Sequence, residues 1–236
     1  MVPERESSAE MERTPMSKDK ARRRILEIGI IPVIRASSAA HAMRAAEAVS
    51  AGGIPIVEIT MTVPGAIDLI RDLAATVAPK VLVGAGTVLD PVTAERCIDV
   101  GAQFIVSPGL HLSTVKTVNS RGVLMIAGAL TPGEVIEAWD AGSDFVKVFP
   151  CDSVGGAKYI QSLKGPLPQI PMIPTGGVNL ENVGDLIRAG ADAVGVGGEL
   201  ISKAALSSGN LEQITAAAAR YLSVIYEARR ILHGPC

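Results

Sequence analysis

The stretch AGSDFVKVFP, residues 141–150, has three counterparts in the same chain: AGGIPIVEIT (51–60), VGAQFIVS (100–107) and AGADAVGVGG (189–198). Each passes from a glycine that can end a helix into a short apolar run, as expected of a buried parallel strand entered from a helix. The internal repeat is therefore a βα unit. The spacing places left-handed glycines at Gly52, Gly101, Gly142 and Gly190, each at a helix end.

Working outward, apolar runs of strand length fall at 30–35, 56–61, 81–84, 103–106, 123–126, 145–149, 172–174 and 193–196. Between them, helical apolar spacing marks 41–51, 66–75, 92–100, 112–119, 133–141 and 180–189. Eight such runs joined by right-handed crossovers predict a closed (β/α)8 TIM barrel. An open doubly wound sheet uses the same alternation. Its phosphate motif follows the first strand, however, and here that place reads Arg35-Ala36-Ser37-Ser38. Ser17 can cap a short N-terminal helix that turns Ile25 and Leu26 inward. Residues 1–16, rich in Glu, Ser, Arg and Pro, read as a disordered tail, which leaves 17–236 as one barrel domain.

Composition supports this architecture. Hydrophobic residues make up 48% of the chain and aromatics only 3%, so the core has to be built from Ala, Val, Ile and Leu, which suits buried parallel strands. A formal charge of −2, with no basic patch beyond Arg22-Arg23-Arg24, argues against a nucleic-acid partner. Cys97, Cys151 and Cys236 are widely spaced and lack metal-ligand spacing, so neither a disulfide framework nor a metal is expected, and a reducing cytoplasm is the simplest compartment. The polar first 20 residues do not read as a signal peptide, and no apolar run has membrane-spanning length.

Barrels of this kind carry their chemistry at the C-terminal ends of the strands. There the sequence offers Arg35, Glu58, Thr60, Thr62, Thr87, Ser107 and Lys147, with glycine turns at Gly176-Gly177 and Gly197-Gly198. Lys147 lies within an apolar strand, where an ammonium is costly; carbonyl addition needs a free amine, which desolvation favours. A lysine whose stem snorkels to a carboxylate is the plainer reading. Glu58 is the second charge on a buried strand. It can pair with Lys147 or Arg35, and it can also relay protons. The glycine turns after strands seven and eight sit where barrels bind phosphate through backbone N–H groups. Thr87, in GAGT (84–87), either meets a carboxylate or caps the next helix. His41, His111 and His233 share no metal-like spacing and receive no role.

Taken together, VEITMTVPGA, VGAGTV, FIVSPGL, FVKVFP, PTGGV and VGVGG resemble the 2-keto-3-deoxy-6-phosphogluconate (KDPG) / 4-hydroxy-2-oxoglutarate (KHG) aldolase family, over roughly residues 25–221. The resemblance implies a class I aldolase without a cofactor or metal, commonly trimeric, that acts on a small-molecule keto acid and releases pyruvate and an aldehyde. It implies Lys147 as the Schiff-base lysine, Glu58 as the proton-transfer carboxylate, Thr87 as a contact to the pyruvyl carboxylate and Arg35 as an anion-binding arginine. Gly176 and Gly177 match the backbone phosphate site, and Pro108 and Phe149 match residues lining the pocket. Two positions depart from many members: Thr62 stands where some carry arginine, and Gly198, followed by Glu199, stands where many carry serine. Phosphorylated and unphosphorylated substrates therefore both stay open. Two rivals remain at this point, a phosphate-binding barrel isomerase or synthase, which does not require Lys147 beside Glu58, and a non-catalytic sugar-acid binding protein.

Overall fold

The computed structural model describes residues 16–77 and 80–233. The tail expected over residues 1–16 lies outside the described residues except for Met16, as does Cys236. Eight strands, β1 (Ile30–Ile34), β2 (Ile56–Thr60), β3 (Leu82–Gly86), β4 (Phe104–Val106), β5 (Leu124–Ala129), β6 (Phe145–Val148), β7 (Met172–Pro174) and β8 (Val194–Val196), alternate with helices. All pair in parallel. β1 to β7 follow one another in chain order and β8 returns beside β1. The ring closes between β7 and β8 through an isolated bridge, Thr175 to Gly195, and the Asp192 N–H donating to the Met172 carbonyl at 3.0 Å. Every strand residue is buried, which explains why the runs are continuously apolar instead of alternating.

The outer layer is formed by α1 (Lys18–Ile28), α2 (Ala39–Ala51), α3 (Ala66–Val77), α4 (Pro91–Asp99), α5 (Leu112–Ser120), α6 (Pro132–Asp140), α7 (Ala157–Lys164), α8 (Val183–Arg188), α9 (Lys203–Ser208) and α10 (Leu211–His233). Local chemistry sets several starts. Pro91 opens α4, and the Asp90 carboxylate accepts from Thr93 N at 2.8 Å. Pro132 opens α6 within a capping box formed by Thr131 and Glu134. At α1, Ser17 takes the N-cap position but its side chain makes no capping bond; Ile25 is fully buried and Leu26 half-buried.

One continuous apolar core joins the strands to the helices. Its few aromatics are accommodated by missing side chains: a Cβ on Gly84 would stand 2.4 Å from the Phe104 ring. Gly101, Gly142 and Gly190 adopt the expected left-handed backbone. At the fourth position the expectation is corrected, because Gly53 has φ 94° while Gly52 has φ −78°. Gly52 serves close packing instead, since a Cβ there would lie 2.5 Å from Ala218 of α10. The sequence reading did not place α7, α9 or the 23-residue α10, which packs against α2 and α8.

The N-terminal ends of the strands are tightly paired. Asp192 accepts from Met172 N at 2.9 Å and meets Lys164 Nζ at 2.8 Å, while Arg229 donates to the Asp192 carbonyl. Asp144 accepts from Met125 N at 2.8 Å and pairs with Lys18 of α1 at 2.9 Å. Ser143, buried, accepts from Ala127 N and donates to strand carbonyls.

Candidate active site

At the opposite end the pairing is looser. Glu58 of β2 and Lys147 of β6 start four strands apart in either direction round the ring, and both side chains reach inward. Their Oε1 and Nζ atoms stand 4.0 Å apart, at the limit of an ion pair, with side chains only 3% and 5% exposed. Burial raises the Glu58 carboxyl above the usual carboxylate range, and the Lys147 and Arg35 charges only partly oppose it. Among the described residues Glu58 Oε1 has no hydrogen-bond partner. An unsatisfied buried acceptor is expensive, which makes this oxygen a functional candidate.

Gly86 makes room for that carboxylate. A Cβ on Gly86 would lie 1.8 Å from Glu58 Oε1, so the GAGT segment contributes a void. Thr87 follows at φ 56°, a left-handed conformation that β-branched residues avoid. Its alternative role as a helix cap is excluded, because the N-cap of α4 is Asp90. The half-buried Thr87 thus stands next to the Glu58 cradle.

The strand register sets Gly128 of β5 beside Lys147. Ser107 Oγ accepts from Gly128 N at 3.2 Å, and a Cβ on Gly128 would lie 2.3 Å from the Pro108 carbonyl carbon. The β4 loop therefore brings Pro108 close to the lysine strand. Phe149 lies on the far side, its ring centroid 5.4 Å from Lys147 Nζ. Gly176 packs on the Phe149 ring at φ 90°, and Gly177, φ 74°, is held by Asn182 Nδ2 donating to its carbonyl at 2.8 Å. Asp152 lies against Gly177.

The turn after β8 lies beside Arg35. A Cβ on Gly197 would stand 3.4 Å from Arg35 Nη1, whereas Gly198 faces open space. Glu199 lines a different surface cavity with Asn179, Leu180, Glu181 and Tyr221. Burial and, secondarily, the Glu199 charge push the Tyr221 phenol up to about 12. Arg35 itself is exposed just beyond β1, and Thr62 Oγ1 shares a 2.7 Å hydrogen bond with the buried Thr60 hydroxyl. No group of three or more His, Cys, Asp or Glu residues among the described residues could hold a metal, and no described helix is long and apolar enough to cross a membrane.

The structure thus gathers Lys147, Glu58, Phe149, Pro108, Thr87, Gly176 and Gly177 around one barrel mouth, with Arg35 and Gly197 at its rim. Sequence reasoning missed the part played by Gly86, whose only signal was a glycine next to Thr87 in a strand otherwise built to be apolar.

Fold and site together define a class I aldolase on a (β/α)8 barrel. The family model described as KDPG and KHG aldolase matches residues 22–217. The KHG/KDPG aldolase of Escherichia coli K12 is 36% identical over 186 residues, covering 79% of this chain and 87% of that protein. The 2-dehydro-3-deoxy-phosphogluconate aldolase of Dickeya dadantii is 37% identical over 189 residues, covering 80% and 88%. A solved structure of Legionella pneumophila KDPG aldolase, with pyruvate captured as a covalent carbinolamine, aligns with a TM-score of 0.79 at 30% identity, covering 84% of this chain and 96% of that one. The chain belongs to the KDPG and KHG aldolase family. It is a lyase that cleaves its substrate to pyruvate and an aldehyde, and the isomerase, synthase and binding-protein readings give way.

Proposed function

We propose that Lys147 carries this reaction as the imine-forming amine and that Glu58 moves the protons. The 4.0 Å approach of the two groups across the barrel is the observation that carries the reading. The Lys147 amine adds to C2 of a 4-hydroxy-2-keto acid, and the carbinolamine loses water to give an iminium. Loss of the C4 hydroxyl proton then breaks the C3–C4 bond. Its electron pair moves into the iminium as an enamine, and the aldehyde leaves. Protonation at C3 and addition of water release pyruvate and restore the amine. A carboxyl raised by burial suits Glu58 to give and take these protons.

In this reading Arg35 and Thr87 receive the pyruvyl carboxylate, Pro108 and Phe149 wall the keto acid, and the amides of Gly176, Gly177, Gly197 and Gly198 face the distal end. With Glu199 directed elsewhere, phosphorylated 2-keto-3-deoxy sugar acids and 4-hydroxy-2-oxoglutarate are both admitted, with glyceraldehyde 3-phosphate or glyoxylate as the aldehyde. Residues from 17 onward act as one barrel domain in the cytoplasm. The family resemblance favours a homotrimer, for which exposed Leu89, Val92, Leu112, Ile136 and Val154, on successive βα units, offer apolar contact surface. Incubation with pyruvate and borohydride, followed by peptide mapping, tests the chemistry. The expected adduct is on Lys147, and a folded protein without one would overturn the reading.

A further inference from the structure

The cavity shared by Glu199 and Tyr221 is separate from the barrel mouth, and the chemistry above makes no use of it. Its volume is about 230 Å³, and Asn179, Leu180 and Glu181 complete the lining. Glu181 and Glu199 are exposed, and among the described residues neither carboxylate has a hydrogen-bond or ion-pair partner. No lysine, arginine or histidine lines the space with them. Two surface carboxylates are ordinarily just hydrated, so by themselves they mark nothing.

Tyr221 supplies the independent observation. This side chain of α10 is only 1% exposed, yet its hydroxyl has no hydrogen-bond partner among the described residues. A buried tyrosine hydroxyl is normally bonded. The Glu199 charge acts on this phenol, which sets the hydroxyl end towards the cavity instead of the core. Held up to about 12, the phenol stays neutral at ordinary pH, so its oxygen can accept as well as donate. Half-buried Leu180 provides an apolar wall.

Two carboxylates and a phenol oxygen around a small space match a group with one positive charge and three N–H donors. A divalent ion such as calcium suits the lining less well, because it takes about six to eight oxygen ligands. We propose that this cavity binds a primary alkylammonium group, its N–H donors shared among Glu181, Glu199 and the Tyr221 oxygen and its carbon chain laid on Leu180. Asn179 and Glu181 follow the Gly176–Gly177 turn, and Glu199 follows Gly198. An occupant therefore joins the segments after β7 and β8 from outside the mouth.

The test is calorimetry and thermal melting of the full chain with n-butylammonium, tetramethylammonium, magnesium and sodium chlorides at matched ionic strength, in the parent, Tyr221→Phe and Glu199→Gln. Butylammonium is expected to raise the melting temperature of the parent saturably, as a ligand of the native state does. Tetramethylammonium, with the same charge and no N–H donor, should not. Tyr221→Phe keeps the buried ring and removes a hydroxyl that bonds nothing in the protein, so the fold should be retained while the butylammonium Kd rises about tenfold, the size of a hydrogen bond to a charged group. Glu199→Gln should weaken binding at least as much. Equal shifts with all four salts, tighter binding of magnesium than of butylammonium, or a butylammonium affinity unchanged in either variant overturns the proposal. None of these readouts involves turnover, so they stand apart from the Lys147 reading.

Discussion

The two ends of the barrel handle charge in opposite ways. At the N-terminal end Asp144 and Asp192 each accept from a strand amide and meet a lysine within 3 Å, so polar side chains there complete the fold. At the C-terminal end Glu58 Oε1 lacks a hydrogen bond, Lys147 stands 4.0 Å away, Arg35 and Lys203 have no partner among the described residues, and Thr87 adopts a left-handed backbone. Both ends lie on the same strands, so strand chemistry does not separate them. What differs is whether a polar group is satisfied by the protein or left for a ligand, and a fold can tolerate the second only because the first is secure.

Substitutions at each end sharpen that contrast. The largest effect is expected for Lys147→Ala: loss of the covalent nucleophile should lower kcat on the order of 10⁴-fold or more, read in a pyruvate-release assay, with the fold retained. Glu58→Gln should cost about 10²–10⁴ in rate. Its pH signature is more telling. Because the folded-state Glu58 carboxyl is raised, the native state holds the proton more tightly than the unfolded chain does. Glu58's contribution to stability is therefore lost as pH rises from the ordinary carboxylate value through the raised one, the reverse of a salt-bridged carboxylate. Thermal melts should show the parent falling relative to Glu58→Gln across that window. A constant difference would mean that Glu58 titrates normally and that the asymmetry between the ends is not electrostatic.

At the other end, Asp192→Ala should leave kcat close to that of the parent while lowering stability by about 1–3 kcal/mol in urea titrations, the cost of stranding a strand amide and Lys164. A comparable fall in kcat would break the division of labour. The smallest expected effect is at Thr87→Gly, which relieves the left-handed strain and should raise stability by about 1 kcal/mol while raising KM for the keto acid.

Much of this was legible in the sequence, for identifiable reasons. The glycine-to-apolar transitions placed four strands and the remaining apolar runs the other four, because burial on both faces leaves an unbroken hydrophobic signature. Lys147 and Glu58 stood out against that background as the only charges on those strands apart from Arg35 at the end of the first. Pairwise geometry was not legible. Gly86 looks like a turn residue until the neighbouring strand's carboxylate is seen to occupy its missing side chain, and Thr87 gives no local sign of a conformation imposed by its surroundings. Gly52 and Gly53 look alike in sequence, and only the structure shows that Gly53 takes the left-handed backbone while Gly52 packs on Ala218 of α10. His41 and Lys203 are 162 residues apart in the chain, and only the return of β8 beside β1 unites them in one cavity. The helices that escaped were α7, α9 and α10, the last because its alanine-rich 211–233 segment blurs the apolar spacing.

The β7–β8 closure, an isolated Thr175–Gly195 bridge beside the Asp192–Met172 backbone hydrogen bond, makes the ring a chain of eight links with one light clasp. Gly195 has to be bare for the clasp to shut, since a Cβ there would fall 2.3 Å from Thr175 Oγ1. Both glycine turns hang from the two links beside it. A substrate touching Gly176 and Gly197 at once would therefore fasten the ring from above, and amide hydrogen exchange along β7 and β8 should slow on binding more than exchange anywhere else in the sheet.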